Sequence, residues 1–415
     1  MGAYACHPYQ GSEPTVGWNR AVESARFGDV HVLTHDEGNR EVVERTVRER
    51  GLDHLHFHFV EHSALERRLL GLPGGTYPAY RRWQRRAYRT ASEMHRTMPF
   101  DLAHQVNMVG YREPGDLWKL DIPFVWGPIG GTQNTPAAFL RYGGARMALL
   151  EGARSLANAL QLRLSRRVRR AARAADVVLA ANSTGQADLA RVLGIEADRL
   201  LETGVRAVGE PRRWRDRAPG PMRVLWAGEV VQRKGIRVLL DAAAEIRRRG
   251  GPEIAWTVVG DGPDRALVEA TADVELRGWV PRAELFDLYE RVDALAFTSL
   301  RDTSGNVMLE ALAAGLPVVY LDHQGAADVG SETCGIPVPV TTPRHAVRGV
   351  ARGIATLATD PDLYDALSAG AIARAEQLRW TANGAAVNQI YADVLDVPAL
   401  DPDTRLSPLR PRDHV

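Results

Sequence analysis

Short apolar runs alternate with longer amphipathic segments along most of the chain. In the first half the apolar runs, which are typical of buried strands, lie at 3–6, 30–34, 55–60, 102–106, 123–126 and 177–181. The second half repeats the pattern at 223–227, 254–259, 276–280, 294–298, 318–321 and 336–338. Segments with helical periodicity lie between many of them, including 17–27, 40–50, 235–249, 263–272, 282–291 and 306–314. This alternation predicts an α/β protein with two parallel, doubly wound sheets, each covered by helices on both faces.

The chain has 415 residues, too many for a single hydrophobic core. A stretch at 207–221 is rich in Pro, Gly and Arg and lacks periodicity, as a seam between domains would. We therefore predict a first domain over 1–207 and a second over 208–379. A helix over 380–397 follows that crosses back to the first domain, and 398–415 form a disordered tail.

Composition narrows the classes of function. The formal net charge of +1 gives no general attraction to nucleic acid. The two cysteines, Cys6 and Cys334, cannot build a disulfide framework or a zinc cluster and favour a cytoplasmic location. No apolar run has the length of a membrane-spanning helix.

Candidate chemistry follows the strands of the second half, because ligands of open α/β sheets bind beyond the carboxyl ends of strands. The run 223–227 leads into Gly228 and a turn with Arg233 and Lys234, before a predicted helix. The glycine lets backbone approach an anion, the helix N-terminus attracts it, and the lysine adds a charge. The alternative is a surface lysine at an ordinary turn. A second turn at 260–263 contains Gly262 and fits ligand contact or a structural turn equally.

The segment 298–319 is the most informative. Asp302 and Glu310 flank the start of a predicted helix at Asn306. The backbone N–H groups of Gly305, Asn306 and Val307 would lie between the two carboxylates, an arrangement that suits an anionic ligand with hydroxyls at both ends, such as a nucleotide sugar. Glu310 lies in an apolar stretch, where a charged group needs a partner. The alternative is a capping Asp302 and a solvated Glu310.

These motifs, over about 223–339, resemble the retaining glycosyltransferases of family 4. The resemblance implies the GT-B fold, two Rossmann-like domains facing across a cleft, and transfer of a sugar from a nucleotide diphosphate sugar to a hydroxyl, with neither metal nor cofactor. It further implies that Lys234 contacts phosphate, Asp302 the donor sugar and Glu310 the ribose, while the backbone around Val280 holds the base. The implied catalytic residues are Lys234, Asp302 and Glu310, and the implied donor site comprises Gly228, Arg233, Lys234, Gly262, Val280, Asp302, Gly305, Asn306, Val307 and Glu310.

Three positions depart from the family pattern. Asp302 is one methylene shorter than the usual glutamate, which would affect the choice of sugar. Glu229 stands where many members have an arginine, an unfavourable anion beside a diphosphate unless Arg233, Arg237 or Arg301 supplies the charge. Gly127 occupies the position of a frequent histidine.

The first half offers an acceptor or cleft site. Gly11, Ser12 and Glu13 follow the first strand, and Glu13 would bind acceptor hydroxyls or simply begin a helix. His104 is the nearest polar candidate in place of the missing histidine, although a strand histidine is typical of a satisfied core. The turn at Gly130 would offer N–H donors to the donor sugar.

A basic helix over 154–173 places leucines on one side and arginines on another. It fits peripheral contact with the inner face of an anionic membrane, or packing on its own domain with a solvated charged face. The acceptor classes left open are saccharides, lipid-linked glycans and secondary metabolites. The alternative functions are a GT-B-fold sugar-nucleotide epimerase and a nucleotide-sugar-binding protein without catalysis.

Overall fold

The computed structural model describes residues 1–36 and 38–399. It contains two separate parallel sheets, as the alternation of apolar runs predicts. The seven strands of the first sheet are β1 Gly2–Ala3, β2 Val30–Thr34, β3 Leu55–Phe59, β4 Ala103–Asn107, β5 Phe124–Ile129, β6 Val177–Ala180 and β7 Asp198–Arg199, in the order β3-β2-β1-β4-β5-β6-β7. The six strands of the second are β8 Met222–Ala227, β9 Ile254–Val259, β10 Val274–Gly278, β11 Ala294–Phe297, β12 Val318–Asp322 and β13 Gly335–Pro339, in the order β10-β9-β8-β11-β12-β13.

Helices cover both sheets. Those that precede β8 in the chain are α1 Glu13–Ser24, α2 Arg40–Glu49, α3 Ala64–Leu70, α4 Thr76–Thr97, α5 Ala137–Leu140, α6 Ala145–Leu164, α7 Arg166–Ala174 and α8 Ser183–Leu193. Those that follow it are α9 Ile236–Arg248, α10 Arg265–Glu269, α11 Arg282–Arg291, α12 Asn306–Ala313, α13 Gln324–Val329, α14 Pro343–Leu357, α15 Pro361–Gln377 and α16 Trp380–Leu395. The prediction of two doubly wound α/β units is confirmed.

The first strand is shorter than its apolar run predicts. Only Gly2 and Ala3 pair as a strand. Beyond them the Asn107 side chain donates to the carbonyl of Ala5 (3.0 Å) and accepts from its N–H (3.3 Å), so an amide takes the place of sheet pairing. The chain is thereby free to turn into the loop that contains Gly11.

The basic segment is two helices rather than one. Ser165 ends α6 and caps α7, and its hydroxyl accepts from the N–H of Val168 at 3.3 Å. The predicted helix at 263–272 is shorter than expected, covering only Arg265–Glu269. Both differences arise where a side chain or a turn forms hydrogen bonds with nearby backbone groups. Hydrophobic periodicity cannot predict such local hydrogen bonds.

The helix α16 returns from the second sheet to the first. Its Asn383 accepts from the Arg20 guanidinium of α1, and Arg20 also lies over the Trp380 ring at 5.6 Å. The Tyr391 hydroxyl contacts Ser24 Oγ (3.3 Å) and His104 Nδ1 (2.5 Å). The end of the chain therefore closes the core of the first domain. Of the predicted tail 398–415, residues 400–415 lie outside the described residues.

The second core extends into the first half of the sequence. Phe139 and Met147, from α5 and α6, are buried among apolar residues of the second sheet and its helices. Among the helices within 1–36 and 38–399, none combines the length and the apolar character needed to cross a bilayer.

We predict that Tyr391→Phe lowers the free energy of unfolding by about 1–2 kcal/mol, because it leaves the buried His104 Nδ1 without a partner. Urea denaturation followed by tryptophan fluorescence measures the change. The control is Tyr77→Phe, at a position 40% exposed, where a shift below about 0.5 kcal/mol is expected. Equal midpoints for the two variants would refute the contribution of Tyr391.

Candidate functional site

A cavity of about 320 Å³ lies where the carboxyl ends of the two sheets face each other. From the second domain, the ends of β8 and β11 and the start of α12 line it. From the first domain, the first turn of α1 with the preceding Ser12 and the segments after β4 and β7 complete it. The lining residues are Ser12, Glu13, Val16, Val109, Glu202, Trp226, Ala227, Gly228, Glu229, Lys234, Phe297, Thr298, Ser299, Asp302, Thr303, Asn306 and Val307. Both halves of the chain thus contribute polar groups to one space.

Lys234 and Asp302 form an ion pair in this cavity, with Nζ and Oδ2 2.5 Å apart. Lys234 ends a 3₁₀ turn, and the next residue, Gly235, has φ 72°. A Cβ on Gly235 would lie 1.8 Å from the Thr298 carbonyl oxygen, so only glycine permits this close approach. Burial opposes ionisation of Asp302, but Lys234 and hydrogen bonds to the carboxylate outweigh it and lower its pKa.

The start of α12 lies beside this pair. Gly305 has φ 63° and caps the helix, and Asn306 and Val307 line the cavity. The first N–H groups of a helix have no intrahelical partner and carry partial positive charge. Lys234 and this helix start are therefore two positive features at one end of the cavity.

Glu310 lies one turn further along α12 and outside the cavity lining. Its carboxylate accepts from Arg282 Nη2 (2.7 Å) and Tyr289 Oη (3.0 Å), so it has the partners that its apolar stretch demands. Burial raises its pKa, although Arg282 and Tyr289 oppose the shift. Arg282 also reaches the first domain, since a Cβ on Gly11 would lie 2.8 Å from its Nη1. Arg282 belongs to no motif in the sequence, and its only local signal is its place as the first residue of α11.

Glu229 is neutralised by its neighbour. It forms an ion pair with Arg233, four residues on, at the edge of the cavity. Arg237 instead donates to the carbonyl of Tyr142 (2.7 Å), and Arg301 pairs with Glu151 (3.0 Å). Of the three arginines considered as compensation, Arg233 is the one placed against Glu229, while the other two connect the domains.

Five predicted donor-site residues lie outside the cavity lining, namely Arg233, Gly262, Val280, Gly305 and Glu310. A Cβ on Gly262 would lie 2.4 Å from the Val230 carbonyl oxygen, which means that close packing of two loops requires this glycine. A structural turn, the alternative stated for 260–263, therefore accounts for Gly262. Val280 packs, partly buried, against the core beneath α12, whereas the adjacent Trp279 is 74% exposed.

The first domain contributes two carboxyl groups, those of the partly buried Glu13 and the buried Glu202. Glu13 accepts from the Val109 N–H at 3.2 Å, and burial raises its pKa to about 7. Glu202, in the connection after β7, is 8% exposed, and its Oε2 has no hydrogen-bond partner among the described residues. Burial, with the nearby charges of Glu13 and Asp302, raises the pKa of Glu202 to about 7. No motif or periodicity marks Glu202, which lies in an aperiodic connection between two elements.

Two further first-domain candidates, His104 and Gly130, are already engaged in contacts within the protein. His104 faces away from the cavity, because Nε2 contacts the Gly127 carbonyl (2.7 Å) and Nδ1 contacts Tyr391. Burial lowers its pKa to about 3, so it is a neutral core histidine. The N–H of Gly130 is already donated to the Val109 carbonyl (2.7 Å), and Thr303 packs directly against this glycine. Gly130 is therefore a contact between the domains.

Metal-ligating residues are not grouped in the described part of the chain. His, Cys, Asp and Glu side chains of residues 1–36 and 38–399 form no set of three that could hold an ion. The Asp401–Asp403 pair lies outside the described residues.

Comparisons of the sequence with known proteins point to one family. The family model for glycosyl transferases group 1 matches residues 221–360. A D-inositol 3-phosphate glycosyltransferase of Thermobispora bispora is 33% identical over 210 residues, which are 43% of this chain and 45% of that protein. A 2-deoxystreptamine glucosyltransferase of Streptomyces kanamyceticus is 31% identical over 150 residues, or 34% and 37% of the two chains. The matches thus cover less than half of these curated relatives.

Solved structures match over nearly the whole chain. Sucrose-phosphate synthase from Thermosynechococcus elongatus has a TM-score of 0.63 and 19% identity, covering 95% of this chain and 96% of that one. HepE from Anabaena, in complex with UDP and glucose, has a TM-score of 0.59 and 15% identity, covering 92% and 97%. At such identities the likeness establishes the fold, which is GT-B. The chain has the GT-B fold, and residues 221–360, within its second domain, are similar to the glycosyl transferases group 1.

Proposed function

We propose that this protein transfers a sugar from a nucleotide diphosphate sugar to an acceptor hydroxyl, with retention of the anomeric configuration. The observation that carries the proposal is the Lys234–Asp302 pair at the start of α12, inside a cavity lined by both domains. The group 1 match over the second domain supports the reaction class, and the bound UDP of the HepE structure supports the donor class.

In this proposal the diphosphate lies between Lys234 and the start of α12. Both are positive, so both stabilise the charge that develops on the leaving group. Because the protein itself supplies this charge, we propose a metal-independent reaction without a cofactor. Arg233 screens Glu229 from the diphosphate. Glu310, fixed by Arg282 and Tyr289, receives the ribose hydroxyls at the far end of the donor.

Asp302 is placed to contact the transferred sugar, which we propose to be a hexose. The bond from the anomeric carbon to the phosphate oxygen breaks as the bond to the acceptor oxygen forms on the same face. The acceptor proton passes to the departing phosphate oxygen, so the products are the glycoside and the nucleoside diphosphate. A cavity enclosed by two domains excludes water and aligns the two reactants.

Glu13 and Glu202 are our candidates for binding the acceptor. They come from the first domain, opposite Lys234, and Glu202 has a free carboxylate oxygen. As carboxylates they would accept hydrogen bonds from sugar or polyol hydroxyls. Saccharides, lipid-linked glycans and secondary metabolites all carry such hydroxyl groups.

The cytoplasmic location of the protein stays a prediction.

The test is an assay of the full chain with a panel of UDP-, GDP-, ADP- and TDP-sugars. Binding of the matching nucleotide should raise the melting temperature, and transfer or slow hydrolysis should release the nucleoside diphosphate. Isomerisation of the donor without release of the nucleoside diphosphate would indicate an epimerase. Binding of the donor without turnover would indicate a non-catalytic binding protein. Either result would refute the transferase. Analysis of the product by NMR decides between retention and inversion.

Two substitutions separate the roles within the donor site. Lys234→Ala should lower kcat about 100-fold or more, because it removes a charge needed as the leaving group departs. Glu310→Ala should instead raise the donor KM, because it removes ground-state contacts. The controls are Arg344→Ala and Glu284→Ala, both exposed positions of the second domain. Unchanged kinetics in Lys234→Ala and Glu310→Ala would remove the proposed site.

The acceptor role of the two glutamates predicts a pH dependence. Their pKa values of about 7 mean that the ionised forms are lost as the pH falls through neutrality, so log(kcat/KM) should decline below about pH 7. With two required carboxylates the limiting slope approaches two, and in Glu202→Gln it should fall to about one. Glu332→Gln, at an exposed position, is the control. An identical slope in Glu202→Gln would exclude Glu202 from acceptor binding.

A further inference from the structure

The apolar side of α6 faces away from the protein. Five of its leucines lie along one side of the helix, a surface we call the leucine face. They are Leu149, Leu150, Leu156, Leu160 and Leu164, with exposed fractions of 73, 58, 62, 48 and 67%. If α6 packed on its own domain through its leucines, as the alternative for this segment supposes, these side chains would be buried. Their exposure excludes that arrangement for these five leucines.

The inward side of α6 buries two apolar residues, Met147 and Leu162, and makes polar contacts as well. Glu151 pairs with Arg301 (3.0 Å) and accepts from the Thr135 hydroxyl (2.7 Å). Asn158 donates to Asn134 Oδ1 at 2.8 Å. The helix therefore leaves five leucines exposed although an ordinary surface helix buries most of its apolar side chains. Large exposed apolar patches of this kind mark interaction surfaces.

Exposed arginines of α6 and of α7, the helix that follows it, add positive charge to this part of the chain. Six exposed arginines belong to α6 and α7, namely Arg146, Arg163, Arg166, Arg169, Arg170 and Arg173. Within residues 1–36 and 38–399, no carboxylate lies within 4.0 Å of any of these six. The single acidic residue of the two helices is Glu151, which faces inward. The surface therefore combines exposed leucines with uncompensated cations.

We propose that the leucine face and its arginines dock this protein on the surface of an anionic phospholipid bilayer. The leucines would enter the boundary between headgroups and acyl chains, and the arginines would contact lipid phosphates. Charge selects this occupant over a second copy of the chain, because pairing two such faces would bring arginines against arginines. The docking goes beyond the proposed transferase activity and does not depend on it.

The position of α6 connects this surface to the cavity. Glu151, on the opposite side of the same helix, pairs with Arg301, and Arg301 directly precedes Asp302. One helix, about 10 Å across, therefore separates the docking surface from the loop that lines the cavity. If the transferase proposal also holds, this geometry favours an acceptor that resides in the membrane.

Co-sedimentation of the full chain with vesicles tests the docking. We expect binding to mixed phosphatidylcholine–phosphatidylglycerol vesicles and none to phosphatidylcholine alone, with weaker binding at high salt. Leu156→Ser combined with Leu160→Ser should reduce the partition coefficient at least about tenfold, because the apolar contribution is lost. Both positions are exposed, and thermal melting verifies that the variant is folded.

Two matched pairs of charge reversals separate the effect of the arginines on this surface from the effect of the net charge of the protein. Arg166→Glu with Arg170→Glu should weaken binding by at least about tenfold, since each arginine near an anionic surface contributes about fivefold. Arg344→Glu with Arg352→Glu makes the same change in net charge at exposed positions of the second domain and should bind like the unaltered protein.

Three outcomes would overturn the docking. They are failure to sediment with the mixed vesicles, undiminished binding by the leucine variant, and a dimer in light scattering that the leucine variant converts to monomer. The last would assign the face to a second copy. Nucleotide binding and turnover with a water-soluble acceptor are measured without vesicles, so they report on the transferase proposal separately.

Discussion

The two sheets present their carboxyl ends to each other, and contacts across the domain boundary maintain that orientation. Asn182, which caps α8 in the first domain, donates to the Thr303 carbonyl at 2.8 Å. Arg199 pairs with Asp328 at 2.8 Å, and the Gln324 side chain donates to the Asn134 carbonyl at 2.8 Å. Because strand ends, loops and helix starts meet at these edges, bringing two of them together concentrates unpaired backbone groups and polar side chains in one cavity.

Charge within the cavity is balanced with few cations. Lys234 compensates Asp302, which stays ionised, whereas Glu13 and Glu202 have no such partner and respond by raised pKa values. An anionic ligand entering beside Lys234 would add negative charge to a space that is already lined by four carboxyl groups, those of Glu13, Glu202, Glu229 and Asp302. Neutral protonated glutamates reduce that repulsion, so the protonation of Glu13 and Glu202 and the binding of a diphosphate are coupled.

The strands, most of the helices and the second-domain motifs could be predicted from the sequence. Hydrophobic periodicity and the positions of glycines depend on local packing, so they are visible in short stretches of sequence. Lys234, Asp302 and the start of α12 could be predicted because each follows a strand directly. Lys234 follows β8, and Asp302 and α12 follow the adjacent strand β11. The sequence left His104 open between the cleft and the core, because the answer depends on a contact with Tyr391 of α16, 287 residues away. It missed Glu202 and Arg282 for the same reason, since their significance depends on contacts across the chain. The exposure of the leucine face likewise required knowing which side of α6 the protein covers.

Glu310 is held from two sides, by a guanidinium and by a phenol, before any ligand arrives. A side chain restrained in this way has already lost its rotamer freedom during folding. A polyol that engages it is spared that entropic penalty, which for a flexible side chain is about 0.5–1.5 kcal/mol. Both partners, Arg282 and Tyr289, lie on α11 of the same domain as Glu310. The restraint on this carboxylate is therefore internal to the second domain and would persist if the cleft opened.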